Sequence, residues 1–101
     1  KGLTMTAYMI IVAELDDPVG FRDYAIAAGS LIGKFGGEYV VRGAQQSVCL
    51  EGNWPEEQKI VISKWPSMEA AQSFWDSEEY AEIKKLRMGK ARVKVRLVEG
   101  V

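Results

Sequence analysis

A chain of 101 residues with 48% hydrophobic and 27% charged residues is expected to form one globular domain with a single modest core. Its formal net charge of -1 gives no global attraction to nucleic acid or to an anionic membrane. No apolar run reaches the roughly 18 residues that span a bilayer, the start lacks a signal-peptide core, and the lone Cys49 excludes an intramolecular disulfide, so a cytoplasmic location is expected.

Residues 1–4 read as a disordered terminus or cloning remnant ahead of a single domain spanning 5–101. Tyr8 to Ala13 is a continuous apolar run, the pattern of a strand buried on both faces. Asp17 is an N-cap with Pro18 at the first helical position, and Phe21, Tyr24, Ala25, Ala28, Leu31, Ile32 and Phe35 recur on one helical face until Gly36-Gly37 ends it. Glu38 to Gly43 alternates as a strand, and Val48 to Gly52 reads as a short edge extension before a polar turn through Asn53-Trp54-Pro55. The plan then repeats. Lys59 to Trp65 is a strand, Pro66-Ser67 caps a helix carrying Ala70, Ala71, Phe74 and Trp75, and Arg92 to Glu99 alternates as the last strand. Within the stretch FWDSEEYAEIKKLRMG, Ser77 interrupts the helix and restarts it, Glu78 and Glu79 suit the positive helix end, and Lys84, Lys85 and Arg87 suit the negative one.

The order βαββαβ predicts an α+β, ferredoxin-like fold: a four-stranded antiparallel sheet with the helices on one face. In the first strand Met9, Ile11 and Ala13 point one way and Tyr8, Ile10 and Val12 the other, so both faces of the sheet are apolar. The chain has no further element to cover the second face, which predicts a homodimer with two sheets packed face to face.

The segments KFGGEYVVRG, LEGNWPEEQKIVISKWPSMEAAQSFWDSEEY and VRLVEG together resemble the domain of unknown function 1330 family, within the dimeric α+β barrel superfamily. The resemblance runs from about Met5 to the end. It implies a homodimer of ferredoxin-like subunits and brings no established reaction. The pocket positions it carries over are Arg42 in VVRG, Glu51 and Trp54 in EGNWP, Trp75, Ser77 and Tyr80 in FWDSEEY, and Arg87 in KLRMG.

The chain contains no histidine, so neither a Ser-His-Asp nor a Cys-His arrangement can be built, and no imidazole is available for haem or zinc. No metal and no cofactor are expected. Arg42 and Arg87 suit a carboxylate or phosphate, against the plainer reading that Arg42 pairs with Glu51 and Arg87 with Glu79 or Glu82. Trp54, Trp65, Trp75, Tyr80 and Tyr24 are core aromatics or the wall of an apolar pocket. Glu51 is a general base only if buried, and Cys49 in its apolar context reads as packing. Lys84 to Arg96 forms a basic stripe, but QKIVISKW lacks the stacking aromatics of an RNA-binding sheet, so the stripe reads as a solvated face. Two function classes remain: a homodimer holding a small, partly apolar or anionic ligand between helices and sheet, or a cofactor-independent monooxygenase or isomerase of the superfamily. Packing alone predicts both arginines paired and Trp75 and Tyr80 fully buried.

Overall fold

The computed structural model describes residues 5–101; the expectation for residues 1–4 lies outside them. Four strands, β1 (Ala7–Leu15), β2 (Glu38–Val41), β3 (Gln58–Trp65) and β4 (Ala91–Glu99), form one antiparallel sheet in the order β2-β3-β1-β4. Three helices, α1 (Pro18–Ile32), α2 (Met68–Asp76) and α3 (Glu78–Lys84), complete the ferredoxin-like α+β fold.

Local chemistry sets the helix boundaries. The Asp17 carboxylate accepts the Gly20 N–H at 2.9 Å and Pro18 opens α1, while Ser67 Oγ accepts from Ala70 N at 3.0 Å to open α2. A short 3-10 turn, Gly33–Phe35, carries α1 to Gly36, whose φ of 88° is one that L side chains rarely adopt. A second 3-10 turn, Lys85–Arg87, follows α3, so the helical course past Lys84 is tighter than the expected continuation to Met88.

Strand parity sorts the sheet into two faces. The inner face carries Ala7, Met9, Ile11 and Ala13 of β1, Trp65, Ser63 and Val61 of β3, and Leu97, Val95 and Val93 of β4 in register. Ala7, Met9, Leu31, Ile32, Trp65, Ala71, Phe74 and Tyr80 form the core beneath the helices. Buried Ser63 is there because Trp65 needs an acceptor: the indole N–H donates to its Oγ at 2.8 Å. On the outer face, Tyr8, Ile10, Val12, Ile60, Ile62 and Val98 are only half-buried and alternate with Lys64, Arg92, Lys94 and Arg96.

The expected edge strand at Val48 to Gly52 is not formed. Residues 42–57 make an exposed arm between β2 and β3, with Val48 68% and Leu50 92% accessible. An alternating segment becomes a strand only when it pairs with a neighbouring edge, and this one pairs with none among the described residues. The arm makes the molecule a thin slab of 44 × 35 × 18 Å, with a radius of gyration of 14.2 Å against about 13 Å for a compact chain of this length.

Two glycines near the end of α1 give opposite expectations. A Cβ on Gly37 would lie 2.8 Å from the Trp65 ring, whereas one on Gly33, at φ −61°, would meet nothing within 4 Å. Gly37→Ala is expected to lower stability by about 1–3 kcal/mol, and Gly33→Ala to raise it by about 0.4–1 kcal/mol, in urea denaturation.

Candidate functional site

Tyr24 lies on the inward stripe of α1 and Tyr80 at the start of α3. Tyr80 is there because of Ser77: its Oγ donates to Phe74 O at 2.8 Å and accepts from Tyr80 N at 3.1 Å, bending the chain between α2 and α3. The bend directs Tyr80 into the core, 2% exposed, between the rings of Phe74 and Trp75. Its hydroxyl meets that of Tyr24 at 2.7 Å.

One cation borders this pair, and a second lies farther along α1. The Arg87 guanidinium sits over the Tyr24 ring, 5.5 Å from its centroid, and its buried Nε finds no acceptor among the described residues. Arg42 stacks on Tyr39 of β2 at 4.4 Å and lies along α1, in long contact with Ala25 O at 3.5 Å. Gly29 makes room for it, since a Cβ there would stand 3.3 Å from Arg42 Nη2. Neither arginine has a carboxylate within ion-pair distance among the described residues. Glu82 is taken by Lys85 at 3.0 Å, so the expected Arg87–Glu82 pair is not made, nor are Arg87–Glu79 and Arg42–Glu51.

The surroundings favour the protonated forms of Tyr24 and Tyr39. Burial pushes the Tyr24 hydroxyl far above its ordinary value and the neighbouring Tyr80 adds to this, against a smaller opposing pull from Arg87. Burial raises Tyr39 too, with Arg42 opposing. Tyr24 and Tyr39 therefore keep their protons at neutral pH and are not bases.

On the far side of Tyr80 the ring wall continues. Trp75 stacks on Tyr80 at 5.1 Å, carries Lys84 Nζ 4.4 Å above its ring, and lines an open cleft of about 180 Å3 with Met9, Gln72, Val95 and Leu97. The cleft lies between α2 and the β4 edge. Trp75 is half-buried, so it is not consumed by the core as Tyr80 is.

Of the residues singled out from sequence, Trp75, Tyr80, Arg87 and Arg42 lie on or beside this wall. Ser77 is committed to the two helix ends. Glu51 and Trp54 stand on the exposed arm, with no hydrogen bond or ring contact joining their side chains to the rest among the described residues. Glu51 is not the buried base considered above. Tyr24, read as core or pocket wall, is both: its ring packs and its hydroxyl completes the pair. Tyr39 was not singled out; the signal for both was a phenol on an inward-facing position, whose hydroxyl must find a partner once buried. No group of three or more metal-ligating side chains gathers among the described residues, and no helix there is long and apolar enough to cross a membrane.

The Tyr24 shift sets an alkaline signature. The folded chain holds this proton more tightly than the unfolded chain, whose phenol titrates near 10.0. Its contribution is fully present below that value, and stability falls as pH rises above it. Tyr24→Phe is expected to lose stability at neutral pH, by about 1–2 kcal/mol for stranding the Tyr80 hydroxyl, and to show a shallower decline above pH about 10 in denaturation midpoints.

No functionally curated protein matches the chain. The fold is shared with a protein of unknown function from Rhodopseudomonas palustris, at 18% identity and a TM-score of 0.78 over 96% of this chain and 83% of that one. It is shared also with SnoaB, a cofactor-independent oxygenase from Streptomyces nogalater, at 9% identity and 0.69 over 97% and 95%. A third structure, a protein of unknown function and possible oxidoreductase from Bacteroides thetaiotaomicron, aligns at 9% identity and 0.66 over 96% and 99%. These likenesses establish the fold, and residues 6–101 match the family model throughout: the chain belongs to the DUF1330 family, a domain of unknown function.

Proposed function

We propose that the protein is a cytoplasmic homodimer that binds a small, partly apolar anion at the surface flanked by Arg87 and the half-buried Trp75. The observation that carries this is Arg87: among the described residues it has no acid partner and its buried Nε has no acceptor, and a hydroxyl pair lies beside it. A buried guanidinium donor left unmade is costly in a purely structural role, and a carboxylate would supply both charge and acceptor. The cleft beside Trp75 offers the apolar surface for the rest of the ligand. Dimerisation is supported by Tyr8, Ile10, Val12, Ile60, Ile62 and Val98 on the outer face, which no third layer covers among the described residues.

The second reading is catalysis without a cofactor. What favours it is the oxygenase among the fold neighbours together with the aromatic wall. Against it stands the raised Tyr24, which holds its proton where proton abstraction from a substrate needs a base.

Thermal shifts with a panel of aromatic and aliphatic carboxylates test the binding reading. A hit is expected whose affinity falls about 10–100-fold in Arg87→Ala and is partly kept in Arg87→Lys, with Trp75→Ala weakening aromatic ligands most. Silence across the panel, with the variants only less stable, would make Arg87 structural. Oxygen uptake with a bound aromatic ligand would move the assignment to the second reading.

A further inference from the structure

The arm between β2 and β3 carries the pattern of a strand without being one. Val48, Leu50 and Trp54 alternate with Cys49, Glu51 and Asn53, and every residue from 42 to 57 is exposed. At the opposite border of the sheet, β4 is a nine-residue edge strand whose outer side pairs with nothing among the described residues. A long free edge of this kind is a template for an added strand.

The two segments match face by face. On the inner side β4 presents Val93, Val95 and Leu97, of which Val95 and Leu97 line the open cleft with Trp75. On the outer side it presents Arg92, Lys94 and Arg96, all exposed; Arg92 is paired with Glu14 and Asp16, while Lys94 and Arg96 have no acid partner among the described residues. A strand laid along β4 with Val48 and Leu50 on the apolar side sets Glu51 on the cationic side, because neighbouring residues alternate faces. Glu56 and Glu57 add negative charge beyond the Pro55 turn.

From this complementarity we infer that the arm of one copy adds to the β4 edge of a second copy. Glu51 then faces Lys94 and Arg96, and Val48 and Leu50 close the open side of the cleft beside Trp75. The inference rests on the homodimer reading and deepens it: each ligand cleft is completed by apolar residues of the other copy. It also explains why the exposed apolar side chains of the arm are tolerated, since in the assembly they are covered.

Cys49, the only thiol, lies on the same parity as Glu51 and serves as a reporter. Lys94→Cys adds a second thiol on the cationic side of β4, and Val19→Cys, on an exposed turn of α1, is the control. Mild oxidation is expected to give covalent dimers with Lys94→Cys and none with Val19→Cys. In sedimentation equilibrium, Glu51→Lys is expected to weaken self-association about tenfold at low salt, and Glu51→Lys combined with Lys94→Glu to restore it. A dimer that neither cross-links nor responds to charge reversal would overturn the arm's placement and leave the homodimer standing. A disulfide formed within one chain would overturn it by returning the arm to its own sheet. A monomer in all variants would remove both readings.

Discussion

One serine hydroxyl closes a helix and opens the next, and the candidate site depends on the bend it makes. If α2 ran on without Ser77, the residues after Asp76 would keep the heading of α2. With it, the chain turns and Tyr80 enters the core against Phe74 and Trp75, within reach of a hydroxyl on α1. The cost of the break is low because the same oxygen donates to the last turn of one helix and accepts from the first turn of the other. A capping contact of ordinary strength thereby positions an aromatic wall.

Beyond that bend the site is governed by what burial does to polar groups. Two phenols that would be expensive to bury singly are buried as a pair, and burial, with a smaller contribution from the neighbouring Tyr80, pushes the Tyr24 hydroxyl still further above its ordinary value. Arg87 is compensated only in part: its guanidinium leans on the Tyr24 ring and pulls on the Tyr24 hydroxyl, while its buried Nε has no acceptor among the described residues.

How far the sequence could be read follows the range of each interaction. Asp17, Ser67 and Ser77 were legible because a cap acts over three residues, and the two apolar faces of β1 because parity is strictly local. The Tyr24–Tyr80 contact joins positions 56 apart, so from sequence only the need for a partner was visible and not its identity. The arginine pairings failed for a related reason: several carboxylates were in reach along the chain, and packing chose Lys85 for Glu82. At Val48 to Gly52 the alternation was read correctly as a pattern and wrongly as a strand of this chain, because a strand is a relation between two edges.

The order in which the sheet is threaded has a consequence for how the chain reaches this structure. β1 is an inner strand that comes first, and one of its two partners, β4, comes last; Gly100 N donates to Thr6 O at 2.7 Å, tying the two ends of the described chain together. During synthesis β1 therefore waits with one side unpaired until the residues through β4 have emerged, and the β1–β4 pairing is the last of the sheet to form. Such distant pairing slows folding and prolongs the exposure of an apolar strand. The caps and short helices of the middle segment can form meanwhile, so that β4 arrives at a platform already half assembled.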